Sequence, residues 1–221
     1  RRVVFIANRV DAPILFPDPT HGAGLLPFVS VWDAISDLPK LENGEDRGIL
    51  PYGRRPKNSY QVMLRGDCRF AFNHAATRLA SINLKRMHHI PPGGSWRDIP
   101  YDLLPAGMKL AKRSDHTKRY GRPRKTDLAC TILTKCDVHW GAYIHPEQDR
   151  SFTVRESARL QSFPDFFSFQ GNRTEQFIQV GNAVPPLLGK RIAESVLRAD
   201  TIMLDGSQPK NGRMKELAFA M

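Results

Sequence analysis

The chain has 221 residues, 41% of them hydrophobic, with 33 Lys+Arg against 22 Asp+Glu and a formal net charge of +11. This is enough apolar content for a sizeable core, which excludes a disordered tail, and no stretch approaches the ~18 consecutive apolar residues of a membrane span. The apolar run after Arg1 and Arg2 is too short for a secretory h-region, and Cys68, Cys130 and Cys136 are too few and too irregular for a disulfide framework, which fits a reducing compartment. The pI of about 9.9 implies attraction to polyanions, so composition favours an intracellular, globular, nucleic-acid-binding protein.

RRVVFIANR at the start reads as a β-strand already under way, because Val3–Ala7 form a continuous apolar run of the kind buried on both faces of a sheet. Such a strand needs neighbours, so the rest of its sheet is expected to be missing or to come from another chain. Residues 11–30 are punctuated by proline and glycine and read as a loop. VWDAISDLP (Val31–Pro39) reads as a short helix ended by its proline, 40–58 as loop, and Tyr60–Arg65 and Ala75–Arg86 as helical stretches. IPPGGSWRDIP (Ile90–Pro100) is a turn-rich ordered loop. Residues 109–125 carry eight cations, Lys109, Lys112, Arg113, Lys118, Arg119, Arg122, Arg124 and Lys125, against the single acid Asp115. LACTILTK (Leu128–Lys135) has strand composition. TVRESARLQSFP reads as a helix with Thr153 as N-cap, Glu156 completing a capping box, and Pro164 just past its end. VGNAVPPLLGKRIAESVLRA reads as a turn followed by a helix that begins near Pro185 or Pro186.

The last third carries the most specific pattern. IHPEQDRSFTVRESARLQSFPDFF (Ile144–Phe167) and QVGNAVPPLLGKRIAESV (Gln179–Val196) resemble the ninth and tenth motifs of DNA (cytosine-5) methyltransferases. ACTILT (Ala129–Thr134) is similar to the Thr-Leu/Ile segment of that family's target-recognition domain. MHHIPPGGSWRDIP, Asn73-His74, Tyr60-Gln61 and VWDAISDLP also resemble family segments. RRVVFIANR resembles the tail of the eighth motif, with FPDPTH (Phe16–His21) following it. The resemblance spans roughly residues 1–198.

The family's Phe-x-Gly-x-Gly, Pro-Cys and Glu-Asn-Val motifs do not occur, and each cysteine follows a residue other than proline: Asp67, Ala129 and Lys135. The resemblance therefore implies the C-terminal portion of such an enzyme. Its fold is expected to be α/β: a mixed recognition domain, flanked by a strand and a helix that belong to a Rossmann-like methyltransferase domain otherwise missing. The expected divisions are 1–39 (end of a catalytic-domain strand and linker), 40–150 (target-recognition domain), 151–200 (ninth- and tenth-motif segment) and 201–221 (tail).

The implied reaction moves a methyl group from S-adenosylmethionine to C5 of a cytosine flipped out of duplex DNA, a process that costs a few kcal/mol in unstacking. A cysteine thiolate adds at C6 and a carboxylic acid protonates N3; both are expected from an N-terminal catalytic half, whether upstream in the same chain or a separate subunit. By resemblance, Arg2 is the catalytic candidate, its guanidinium holding the flipped ring near O2. Asn182 and Ala183 are the candidate contacts to S-adenosylmethionine, in a Gly-Asn turn. Thr131 is the candidate phosphate contact beside the flipped nucleotide, and Arg122, Arg124 and Lys125 are expected on a DNA-facing surface. Tyr120 and Trp140 suit either the edge of that groove or core packing.

Arg155 and Arg159 lie four apart on one helix face and read as structural braces. Cys130, Cys136, His139 and His145 give a C-x5-C-x2-H-x5-H spacing, wider between the cysteines than structural zinc sites use, so no metal is expected. The family context implies a bacterial, cytoplasmic, DNA-associated protein of restriction–modification type. Two other readings remain open: a DNA-recognition subunit of a split methyltransferase, and a non-catalytic DNA-binding relative.

Overall fold

The computed structural model describes residues 4–9 and 12–204. They form two compact units, one from the described parts of Arg1–Pro27 and Val184–Met221, the other from Phe28–Ala183. These divisions differ from those expected at 39, 150 and 200. Residues 28–39 and 151–183 share a core with the residues between them, as Val31, Ile35, Val154 and Val180 show.

The larger unit is mixed α/β with little regular structure for its size. Helix α1 (Val31–Ile35) opens with a capping box between Ser30 and Asp33. Strand β1 (Leu50–Pro51) pairs antiparallel with β2 (Phe70–Ala71), with Leu50 opposite Ala71. Between them α2 (Ser59–Arg65) is capped by Asn58. Helix α3 (Ser81–His88) starts later than the expected Ala75. The N–H groups of Ala76 and Leu79 donate instead to the carbonyl of Glu45 and the side chain of Asn43, so they cannot enter a helical ladder. A short helix, α4 (Ala106–Lys109), precedes the long irregular stretch to residue 153. Helix α5 (Val154–Leu160) begins at Thr153 with the expected capping box.

Helix α6 (Arg173–Asn182) covers residues to which the sequence assigns no element, and its last turn takes in part of the stretch read as a turn, Val180–Asn182. Its N-cap is Asn172 and its N3 residue Glu175, a capping box built on asparagine rather than serine or threonine. The expected strand at 128–135 forms no ladder: the segment is irregular with a bend at Thr134, and the carbonyls of Thr131 and Leu133 accept from the side chains of Tyr143 and Cys136.

In the smaller unit, α7 (Pro186–Leu204) starts at the expected proline, buries Ser195 and Ala199, and places Arg198 3.3 Å from Asp18. The expected strand at its front is absent over the described residues 4–9, where Phe5 is 90% exposed. Among the described residues no neighbouring strand lies there to accept its ladder bonds.

The larger unit is organised around α5, where Arg150, Arg155, Glu156 and Arg159 are all buried to within 1%. Arg159 forms a two-pronged pair with Asp165 (2.6 and 2.5 Å) and reaches Asp37 (3.1 Å) and the Ala34 carbonyl (3.0 Å). Tyr52 donates its hydroxyl to the same Asp165. Arg155 donates to the carbonyls of Phe72 (2.9 Å), Phe167 (2.6 Å) and Pro164 (3.3 Å). Arg150 grips both oxygens of Glu156 at 2.8 and 2.6 Å. Burial alone would raise the Glu156 carboxyl; the Arg150 charge overrides this and holds it well below the usual carboxylate range. Thr153 accepts from the Glu156 N–H and donates to His74, whose other ring nitrogen meets the Pro39 carbonyl at 2.8 Å. The first turn of α5 is therefore tied to the loop after α1.

Three substitutions compare buried with exposed charge. Arg159→Met keeps length but removes the cation nearest Asp37 and Asp165, leaving them only Arg65 at 3.7 Å and Arg155 at 3.8 Å, so urea denaturation should show a loss of about 3–5 kcal/mol. Arg173→Met, which breaks an exposed pair with Asp46, should change stability by less than about 1 kcal/mol. Burial pushes His145 down to about 4 from its usual 6.5. The unfolded chain therefore takes up a proton that the folded chain refuses between these values. Stability from this group is complete above pH 6.5 and is lost as pH falls toward 4, by about 2 kcal/mol at pH 5. Urea midpoints at pH 8 and 5 should show at least that decrement, and His145→Asn should remove the share due to His145, leaving that of His74, which burial also pushes down.

Candidate functional site

The C-terminal end of α5 positions the segments that carry the candidate residues. The Gln161 side-chain amide donates to the Val180 carbonyl in the last turn of α6. Gly181, one residue on, lies directly against the segment 131–134. A Cβ there would sit 2.4 Å from the Thr134 nitrogen and 2.5 Å from the Leu133 carbonyl carbon. The same segment is held from its other side: Tyr143 donates its hydroxyl to the Thr131 carbonyl at 2.7 Å. Cys136 donates to the Leu133 carbonyl at 3.6 Å and accepts from Ser157 of α5 at 3.4 Å. The Thr131 side chain stands exposed on this fastened segment.

Asn182 is exposed and Ala183 half-buried, but they do not form the expected free turn. Asn182 ends α6, and Ala183 is its C-cap in extended conformation. What this end offers outward is a side-chain amide and the carbonyl-rich end of a helix rather than a row of free N–H groups.

The expected basic surface divides in two. Arg122 is not on it. It is 6% exposed, and its guanidinium donates to the carbonyls of Ile90 (2.8 Å), Met87 (3.1 Å) and His145 (2.9 Å) and to Asp149 (2.5 Å). The cause is a backbone pairing: Arg122 exchanges hydrogen bonds with the Gly93–Gly94 turn, which directs the side chain inward. Arg124, two residues on, is exposed, with its backbone N–H on Asp127 at 2.8 Å. Lys125 meets Glu147 at 2.5 Å and lies over the Trp32 ring at 4.7 Å. Lys109, Lys112, Arg113 and Lys118 are exposed. Tyr120 belongs to the core at 1% exposure, whereas Trp140 is 54% exposed under the Arg119 guanidinium. Arg2 lies outside the described residues.

The three thiols share one tendency. Burial pushes Cys136 up to about 12 and raises Cys130 and Cys68 as well, so each is held as a neutral thiol. Among the described residues no three His, Cys, Asp or Glu side chains gather in a metal-holding group. No helix among them is long and apolar enough to cross a membrane.

Comparison with known proteins places this architecture in a class. A family model described as C-5 cytosine-specific DNA methylase matches residues 55–198, and the chain belongs to that family. It is 38% identical over 197 residues to DNA (cytosine-5)-methyltransferase 1B of Oryza sativa subsp. japonica, an alignment covering 79% of this chain and 13% of the relative. It is 36% identical over 200 residues to the type II methyltransferase M1.HphI of Haemophilus parahaemolyticus, covering 90% of this chain and 44% of that protein. The chain therefore spans less than half the length of either relative. A solved structure, described as a DNA modification methyltransferase encoded within an E. coli prophage, shares the fold. Its TM-score is 0.58 at 20% identity, over 78% of this chain and 47% of the other.

Gly181→Ala tests the contact between α6 and the Thr131 segment. Alanine is the better helix former by about 1 kcal/mol, yet its methyl group would collide with backbone that cannot rotate away. A net destabilisation of about 1–3 kcal/mol is expected, with faster amide exchange over 131–136.

Proposed function

We propose that this chain is the DNA-recognition and C-terminal portion of a DNA (cytosine-5) methyltransferase, which moves a methyl group from S-adenosylmethionine to C5 of a cytosine flipped from duplex DNA. The observation that carries the reading is the family match over residues 55–198. It is supported by the three neutral thiols, none of them following a proline, which leave the nucleophile to an N-terminal catalytic half, upstream in the same chain or on a separate subunit.

The end of α6 fits the cofactor on chemical grounds. S-adenosylmethionine supplies the methyl group, and its charged amino-acid end needs both donors and acceptors. The exposed amide of Asn182 provides both, the helix end favours positive charge, and the small Ala183 leaves room beside them. Thr131 donates to a phosphate oxygen from a segment that is fastened to α6 at Gly181, so the DNA contact and the cofactor contact move as one body. Arg124 and Lys125 add charge to the DNA-facing side. By family resemblance Arg2 holds the flipped base, its fixed guanidinium opposing the negative charge that builds on the ring. The type II methyltransferase among the relatives favours a bacterial restriction–modification setting.

Incubation of this chain alone with DNA and labelled S-adenosylmethionine should give no incorporation; turnover would overturn the placement of the nucleophile. In the enzyme completed by its catalytic half, Arg2→Ala should lower kcat on the order of 10²–10³-fold with cofactor affinity nearly intact. Asn182→Ala should raise KM for S-adenosylmethionine roughly five- to tenfold and leave kcat close to normal, the loss of one neutral hydrogen bond.

A further inference from the structure

Cations from distant parts of the chain gather at one indole ring, two over its face and two in the depression beside it. Trp32, half-buried in α1, has the Lys125 ammonium over its ring at 4.7 Å and that of Lys57 at 5.9 Å. Lys40 and Arg54 line the depression beside it, together with His145 and Glu147. Glu147 is the acid within this group, 2.5 Å from Lys125 and 3.9 Å from Lys40. Asp33 next door is occupied as the cap partner of Ser30, whose hydroxyl donates to it at 2.6 Å. Four positive charges thus gather here, two of them paired with Glu147.

The arrangement is built into the fold. The Trp32 N–H donates to the Lys125 carbonyl at 3.1 Å, which sets those two side chains in register. Asn58 and Gln61 donate to the Asp33 carbonyl at 3.0 and 2.8 Å, and the Lys57 N–H donates to Gln61 at 2.7 Å, which fixes the 54–58 loop against α1. The Arg54 carbonyl accepts from Arg65 at 2.6 Å. His145 meets the Trp32 ring edge-on at 6.0 Å and fixes its plane. A solvated lysine spends its rotamer freedom in water; these are held over an aromatic face before any ligand arrives, which lowers the entropic cost of binding.

We propose that Trp32, Lys40, Arg54, Lys57 and Lys125 form a contact for the sugar–phosphate backbone of duplex DNA. The proposal rests on the function proposed above. It adds a contact outside the basic run 109–119 and assigns Lys125 to this cluster. The cations meet successive phosphates, and the exposed part of the indole packs on the apolar face of a deoxyribose. Glu147 tunes the site by competing for Lys125 and Lys40, so its removal strengthens DNA binding rather than weakening it. A purely structural role would give the opposite sign.

The test is titration of the full chain with a short mixed-sequence duplex over a series of salt concentrations. The triple variant Lys40→Gln, Arg54→Gln, Lys57→Gln alters exposed side chains only, and its folding is checked by thermal denaturation. If two phosphate contacts are lost, the slope of log K against log salt flattens by about 2, and binding at about 0.15 M salt weakens roughly thirtyfold. Glu147→Gln should tighten binding about two- to fivefold, one charge near a phosphate. An unchanged slope in a folded triple variant overturns the proposal, as does weaker binding in a folded Glu147→Gln chain. Loss of single-stranded RNA binding with duplex binding intact also overturns it, in favour of an RNA site. Failure of the unaltered chain to bind duplex DNA at all would instead overturn the proposed function on which it stands.

Discussion

The larger unit depends on the burial of guanidinium groups around α5. Its regular structure is sparse: the β ladder pairs two residues with two, and long stretches run irregularly. Irregular backbone inside a core leaves carbonyls without ladder partners, and each such group costs free energy unless something donates to it. Arg155 serves Phe72, Pro164 and Phe167; Arg122 serves Met87, Ile90 and His145; Arg159 serves Ala34. Arginine suits this work because one planar group carries five donors and stays charged. A lysine would reach fewer carbonyls and would surrender its proton more readily in the same surroundings. The carboxylates of Asp37, Asp165, Asp149 and Glu156 keep the charge balanced.

That use of arginine explains which parts of the sequence reading hold. Composition gives every cation the same sign, so the run 109–125 reads as one surface. Arg122 and Arg124 differ by two positions and have opposite fates. The backbone pairing of Arg122 with the turn at Gly93–Gly94 involves residues about thirty positions away, and no local pattern announces it. Arg155 and Arg159, by contrast, are legible as braces. Both sit on a helix with a readable cap, and a polar helix face followed by Phe-Pro-Asp places an acid close to the helix end.

The elements divide along the same line. Helices α1, α2, α5 and α7 are readable because each announces itself locally, through a capping residue or a proline at an end. Helix α3 starts late because Glu45 and Asn43 claim the N–H groups that an earlier start would need. Helix α6 has its signal in Asn172 and Glu175, with Phe177 and Val180 three apart on the buried face, but the family-like Gly-Asn that ends it draws the eye to a turn instead. Leu128–Lys135 has the composition of a strand, but it bends at Thr134 and has no partner strand among the described residues. Whether extended chain becomes sheet is settled by what lies beside it. Here that is Gly181 of a helix and the Tyr143 hydroxyl. The candidate site was legible at Asn182, Ala183 and Thr131 as positions, while the contact that joins them is a close approach that only glycine permits.

This joining bears on how recognition and methyl transfer are coupled in the proposed enzyme. Thr131 and Asn182 are separated by about fifty residues, yet their backbones meet without an intervening side chain at Leu133, Thr134 and Gly181. Gln161 ties the same turn of α6 to α5, and α5 is locked by Arg159 to Asp37 beside α1. Trp32 stands on α1, so the cation cluster around it is joined through three short helices to the cofactor-facing end of α6. Packed elements of this kind shift together or not at all, since displacing one breaks several buried bonds at once. In the proposed enzyme a phosphate held at Trp32 or at Thr131 would then be held in register with the proposed cofactor contact at Asn182. In the proposed enzyme this chain's contribution is geometric: its three thiols are held neutral, and the larger unit fastens the Thr131 segment to the proposed cofactor contact at Asn182.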